Sequence, residues 1–311
     1  MTALHPYHRL LVAVCFLAAR PAFAQGNLAS LGDYVYALPP AWTARQYPDG
    51  IVLSSPPSVT NEVCLFTLWP MRPAGTDTLA DANRMFLEVY RAYEPRSQTV
   101  RGTPMPQSLV RGTSGHGWDY AIVRRGIAPP GSPESRLGFV FVAKLNQRLA
   151  VISGVSRDPL VSTCLGELAG NVWPRFFYSL SFKGWTPRDT SPAMRRRIAG
   201  VWTVATATAA DRFVFAANGR YASAAAAQQY SRFSSSELLV TTQAYFGNGA
   251  YALKGNAITL TPDDKNSRRE TGYFRVEEES MDEGRTWTRV LYLLRTSIVD
   301  GKDYEVPYQK K

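Results

Sequence analysis

Histidine and cysteine are scarce, with three of each in 311 residues. His5, His8 and Cys15 crowd the amino terminus, which leaves His116, Cys64 and Cys164 for the rest of the chain. A structural zinc site draws four ligands from Cys, His and carboxylate side chains at characteristic spacing, and one histidine with two distant cysteines does not supply them. The acidic runs Asp263-Asp264 and Glu277-Glu278-Glu279, with Asp282 and Glu283, lack the alternating acidic positions and glycine of a calcium loop. They read as hydrated tips at strand ends, and neither metal nor cofactor is expected. Long apolar runs are missing too: none reaches the roughly 18 residues of a membrane-crossing helix, so no transmembrane span is expected. Charged residues make up 19% and hydrophobic ones 45%, with 23 glycines and 21 prolines, which argues against disordered and collagen-like chains.

Positive charge is present but not gathered. The formal net charge of +10 is spread over both halves of the chain. With no recognised nucleic-acid motif, a nucleic-acid partner is not expected. The densest basic cluster, Arg195, Arg196 and Arg197, follows the proline-punctuated stretch 186–194 and reads as a solvated edge rather than a contact with an anionic membrane.

The amino terminus carries an address. His5, His8 and Arg9 precede an apolar run over 10–19, and Ala22, Phe23 and Ala24 give the small-x-small pattern of a signal-peptidase site before Gln25. Residues 1–24 therefore read as a cleaved signal peptide, with a periplasmic or secreted mature chain. Val14 is too large for lipid attachment at Cys15. In an oxidising compartment two thiols are more often bridged than reactive. Cys64 alternates with Phe66 and Leu68 on one strand face, and Cys164 shares a helix face with Leu160 and Leu168. A Cys64–Cys164 disulfide is expected. It closes a loop of about 100 residues, for which chain entropy gives about 4.7 kcal/mol; the alternative is two buried free thiols acting as small hydrophobes.

The chain is long enough for about two domains, and its two halves follow different periodicities. Residues 31–185 mix strand and helix periods, giving an α+β domain. Strands are expected over 34–38, 51–54, 62–69, 118–124, 137–145 and 149–155. A helix over 77–93 opens on a capping-box-like start at Thr78 to Asp81, and a second runs from Asp158-Pro159 to about Trp173. After a linker at 186–198, residues 199–311 give eight short β runs in an all-β up-and-down barrel. Asn218-Gly219 and Gly255-Asn256 mark two tight hairpins. The stretch 222–246, rich in Ala, Ser and Gln, does not alternate cleanly, and a short helix or lid is an option there.

Two family resemblances follow from these patterns. Tyr36, Pro39, Pro40 and Trp42, then Asp49-Gly50, a capped helix, a β meander and a closing helix before Phe177 to Phe182, resemble the PsbP-like fold, named after an extrinsic subunit of photosystem II. That resemblance implies an antiparallel sheet with flanking helices and a family made mostly of non-enzymatic binding or assembly proteins. Gly200, Val201 and Trp202, the run Phe213 to Tyr221 and the run Gly249 to Leu260 resemble the lipocalin-like group of the calycins. This resemblance implies a barrel that commonly holds a small apolar molecule.

Candidate site residues follow from the barrel. Phe213, Phe215, Tyr221, Tyr251, Phe274 and Tyr292 fall on its strands and are the candidate ligand-binding set. An eight-stranded barrel is either filled by such side chains or leaves room for one ligand, and both need inward apolar residues. Trp202 is expected at the barrel base, with Arg289 or Arg295 stacked on it. Ser114 and His116 are the one nucleophile–base pair to weigh. Two residues apart in a glycine-rich turn, without a Gly-x-Ser-x-Gly elbow, they fit an ordinary loop better than a hydrolase. The reading is an exported, non-enzymatic binding protein with a small apolar ligand. The alternative is an envelope protein-interaction or assembly factor with a packed barrel.

Overall fold

Apolar residues on both faces of consecutive strands require cover on both sides of a sheet. In the amino-terminal half this is met by β5 (Leu65–Pro73), β9 (Ser108–Thr113), β10 (Asp119–Ala128), β11 (Arg136–Leu145) and β12 (Arg148–Ser156). The computed structural model describes residues 28–38, 41–56, 63, 65–96, 98–100, 103–105, 108–133, 136–156, 172–187, 189–205, 209–232, 238–267, 269–296 and 303–311. The expected signal peptide 1–24, both Cys64 and Cys164, and the helix expected from Asp158 as far as residue 171 lie outside the described residues.

Alternation along the strands sorts their side chains into two cores. Tyr120, Ile122, Phe139, Phe141, Ala150 and Ile152 face one cluster, while Ala121, Val123, Val140, Val142, Leu149 and Val151 face the other. Helix α1 (Thr78–Val89) covers the second with Met85 and Phe86. It starts one residue later than expected because Asp77 is the cap, its carboxylate accepting the N–H groups of Leu79 (2.7 Å) and Ala80 (3.0 Å). The first cluster is covered by α2 (Val172–Ser179), which begins where the expected helix was to end and tolerates Pro174 in its first turn. A small sheet of β1 (Leu28–Leu31), β2 (Tyr34–Ala37) and β13 (Ser181–Phe182) completes that cover. The large sheet continues outward through β4 (Gly50–Ser54) to β3 (Thr43–Tyr47), and β6 (Glu94–Arg96) pairs with β10. A separate ribbon joins β7 (Gln98–Val100) to β8 (Thr103–Met105).

The carboxy-terminal strands form a closed, antiparallel eight-stranded barrel. In order they are β14 (Gly200–Ala205), β15 (Ala209–Phe215), β16 (Arg220–Arg232), β17 (Leu238–Lys254), β18 (Ala257–Pro262), β19 (Glu270–Ser280), β20 (Thr288–Thr296) and β21 (Asp303–Lys310). Each pairs with the next; β14–β21 completes one seam and β18–β19 the meander. The hairpins expected at Asn218-Gly219 and Gly255-Asn256 are present, with Gly219 and Gly255 at positive φ. Among the described residues of the doubtful stretch there is no helix or lid: β16 and β17 pair with each other on either side of 233–237, because paired backbone tolerates the small residues that blur the alternation.

Strand β19 belongs to both parts of the sheet. Glu270 to Tyr273 pair with β18 of the barrel, whereas Glu277 to Ser280 pair with β9. One continuous sheet therefore crosses the boundary expected near 186–198, and residues 191–198 of that expected linker are helix α3 (Ser191–Ile198), whose Met194 and Ile198 enter the barrel core. A second joint is made by the turn before β10. Gly115 N–H donates to Asn256 Oδ1 (2.6 Å), Thr190 Oγ1 to Gly115 O (2.7 Å) and Trp185 Nε1 to His116 O (3.1 Å). This docking needs glycine, since a Cβ at Gly115 would stand 1.9 Å from the Gly255 carbonyl oxygen. Gly115→Ala should destabilise the protein by about 1–3 kcal/mol through this overpacking, read as a lowered urea midpoint with an unchanged slope. An unchanged midpoint would show that the two turns separate freely.

Candidate functional site

The barrel interior is the first candidate, and among the described residues a cluster of buried aromatic rings gathers there. Phe213 and Phe215 stack with ring centroids 5.4 Å apart, Phe215 meets Tyr251 edge-on at 5.2 Å, and Phe213 meets Tyr308 edge-on at 5.5 Å. Tyr221 and Phe274 join the same buried cluster, with Leu253, Ile258, Val276, Leu291 and Leu293 around them. Five of the six candidate ligand-binding residues thus face one another inside the barrel. Tyr292 does not: Leu291 and Leu293 point inward, so strand alternation turns Tyr292 to the outer wall. Trp202 is fully buried at the end closed by α3, its Nε1 donating to Ile198 O (2.6 Å). The cation over its ring is Lys310, 5.5 Å from the centroid, rather than Arg289, which is drawn 3.0 Å from Glu278. The Arg295 side chain lies outside the described residues.

The outer wall of β19, β20 and β21 holds the second candidate, a cluster of buried ionisable groups. With Phe274 and Val276 inward, Arg275 and Glu277 must both face outward, where the amino-terminal half covers them. Arg275 is 5% exposed and Glu277 is 0% exposed. The guanidinium donates through Nε and Nη2 to the two oxygens of Glu305 (3.0 and 2.6 Å) and through Nη1 to Glu277 Oε1. Its Cζ lies over the Tyr292 ring, 3.9 Å from the centroid. From β10, Tyr120 donates to Glu277 Oε1 (2.8 Å), from α2, Tyr178 donates to Glu305 Oε1 (2.7 Å), and Tyr292 donates to Glu279. Glu277 Oε2 is buried with no hydrogen-bond partner.

The electrostatics follow from burial. Desolvation pushes the Glu277 carboxyl up to about 7, opposed by Arg275 and assisted by the charge of Glu279. The two flanking carboxylates hold Arg275 firmly protonated, although burial works the other way. Burial first, and the neighbouring carboxylates second, raise Tyr120, Tyr178 and Tyr292 well above the ordinary phenol. These phenols therefore act as donors. The cluster was missed in the sequence because Glu277 to Glu279 read as a hydrated tip. In fact Glu277 is sealed in the interior, Glu278 bridges Arg111 (2.8 Å) and Arg289 at the rim, and Glu279 accepts from Tyr292. Arg275 and Glu277 share parity on one strand, a signal open to a reader who trusted the inward placement of Phe274.

The Ser114–His116 turn is the third candidate. Ser114 is buried, and its Oγ accepts the N–H groups of His116 (3.2 Å) and Trp118 (3.4 Å). The hydroxyl thus serves as a turn acceptor. The His116 ring lies against Gly255, and burial lowers its basicity. Among the described residues, no group of three or more His, Cys, Asp or Glu side chains is placed to hold a metal ion, and no helix is long and apolar enough to cross a membrane. No protein-family model matches the chain, and no curated protein matches it.

A carboxyl whose value is raised in the folded state binds its proton more tightly there, so its contribution to stability is present at low pH and lost as pH rises through about 7. Glu277→Gln, which mimics the protonated form, should flatten the fall in melting temperature between about pH 5.5 and pH 8.5 and raise it by a few degrees at the alkaline end. His116 contributes the opposite slope in both proteins and cancels in the comparison. Parallel wild-type and variant curves would place the titration elsewhere.

Proposed function

We propose that the protein is an exported, non-enzymatic interaction or assembly factor of the cell envelope whose barrel is a rigid platform rather than a carrier. The observation that supports this reading is that Phe213, Phe215, Tyr221, Tyr251 and Phe274 belong to one buried cluster, with Phe213, Phe215 and Tyr251 in ring contact. An interior close-packed with aromatic rings has its dispersion contacts already made, and a guest must displace them. Export rests on the leader pattern of residues 1–24. The non-enzymatic reading is supported by the Ser114 hydroxyl, occupied with backbone amides.

The resemblances noted in the sequence agree with this assignment at different levels. A closed eight-stranded meander opening on Gly200 and Trp202 is what a lipocalin-like barrel requires. The doubly covered amino-terminal sheet suits a PsbP-like fold, whose members are mostly binding and assembly proteins.

Truncating one ring separates the platform from the carrier. In a packed barrel Phe215→Ala should cost about 3–5 kcal/mol by leaving a cavity, and that dry cavity should newly bind benzene-sized probes. Wild-type protein should give no saturable signal with an apolar fluorophore. Saturable wild-type binding, displaced by hydrophobic compounds and weakened in Phe215→Ala without a large stability loss, would restore the carrier.

A further inference from the structure

The long hairpin extends further than the barrel uses it. Strand β17 pairs with β16 from Leu238 to Ala250, but with β18 only from Gly249 to Lys254. On the other side β15 pairs with β16 only up to Ala227. Beyond these points the hairpin continues as a two-stranded ribbon, and among the described residues the edge of β17 over 238–248 has no neighbouring strand.

Two hydrogen bonds fix which backbone groups face that edge. Tyr251 N–H donates to Gly219 O (2.7 Å) on the β16 side, while Asn248 O accepts from Asp263 N–H (2.9 Å) on the other. In an antiparallel ladder the N–H and C=O of one residue point to the same side, and successive residues alternate. With an unbroken register, Val240, Thr242, Ala244 and Phe246 turn their ladder groups away from β16 and toward the open edge. Exposed edges in soluble proteins are ordinarily guarded by charge, proline or a bulge. Strand β17 has no proline, and its one charge, Lys254, lies at the barrel end. Phe246 is 83% exposed.

We infer that this edge is a self-association site, with a second copy of the chain adding its own β17 antiparallel across a two-fold axis at Gln243. The segment is its own complement in that register. Val240 falls opposite Phe246 and Thr242 opposite Ala244, so that each edge-facing backbone position meets another edge-facing position. Val240–Phe246 and Thr242–Ala244 fall at ladder positions where each residue both donates and accepts. No charge meets its like, and none is available to select a foreign strand of opposite sign. The contact is isologous and therefore closes at two copies. It does not depend on whether the barrel is packed.

Sedimentation of the full mature chain up to about 100 µM tests this. Wild type should show a concentration-dependent dimer. Thr242→Pro should be monomeric with unchanged circular dichroism and melting, because the N–H it removes faces the open edge and leaves the β16 ladder intact. Phe246→Lys, at a site already in solvent, should weaken the dimer at least about tenfold. A wild type that stays monomeric throughout, including one that binds an added extended peptide instead, overturns the inference. So does a dimer that survives both substitutions.

Discussion

A guanidinium buried between two carboxylates sets the terms for the rest of this structure. Arginine does not give up its proton in a protein interior, so placing Arg275 at 5% exposure demands anions at contact distance, which Glu305 and Glu277 supply from β21 and β19. Those anions have lone pairs of their own to satisfy, and the donors that reach them, Tyr178 and Tyr120, belong to the amino-terminal half. Each group is thus a condition for the next. Removing Arg275, the one cation of the set, typically costs about 3–5 kcal/mol, because it leaves the buried Glu305 carboxylate uncompensated. The cluster therefore gives the outer wall of the barrel its reason to be covered: the same side chains on an isolated barrel would be hydrated, and the phenols would have no carboxylates to serve.

The same cluster fixes the register of the strand that carries it. A slip of one residue in β19 would turn Phe274 and Val276 outward and bring Arg275 and Glu277 into an aromatic interior with no counter-charge. Both faces of the strand therefore agree on one register, one through apolar packing and the other through paired charge. This agreement matters because β19 exchanges partners midway, leaving β18 for β9. At such an exchange the ladder alone does not say where one sheet ends and the next begins. The rim pair of Arg111 with Glu278 adds little, since exposed ion pairs are worth at most about 1 kcal/mol.

Period-two patterning made most of the barrel legible before any coordinates. The eight strands, the two hairpins and the placement of Phe213, Phe215, Tyr221, Tyr251 and Phe274 on barrel strands follow from residue spacing. What spacing did not reveal was the solvent side of the wall. A strand such as Glu270–Ser280 with charge on alternate positions looks like a solvated edge, and nothing local records that Tyr120, 157 residues from Glu277, and Tyr178, 127 residues from Glu305, come to lie on this wall. Tyr292 was misread for the related reason that an aromatic ring on a barrel strand suggests interior. Its neighbours Leu291 and Leu293 occupy the inward parity and leave it to stack on Arg275. The helix α3 inside the expected linker was masked by three consecutive arginines, whose charge reads as surface although Met194 and Ile198 beside them enter the core.

The hairpin of β16 and β17 shows how far pairing can override composition. Its run Ala224 to Ala227 has little intrinsic preference for strand, yet the backbone is extended because each residue has a partner, on both sides near the barrel and on one side beyond it. Barrel closure accounts for the first part only. Residues 220–227 and 249–254 suffice to join β15 to β18. A two-stranded ribbon standing alone in water is marginal, and a third strand changes that balance by satisfying one more row of backbone groups. Ribbon length beyond the needs of closure, together with an unguarded edge, is thus better explained by what the edge receives than by what the barrel requires.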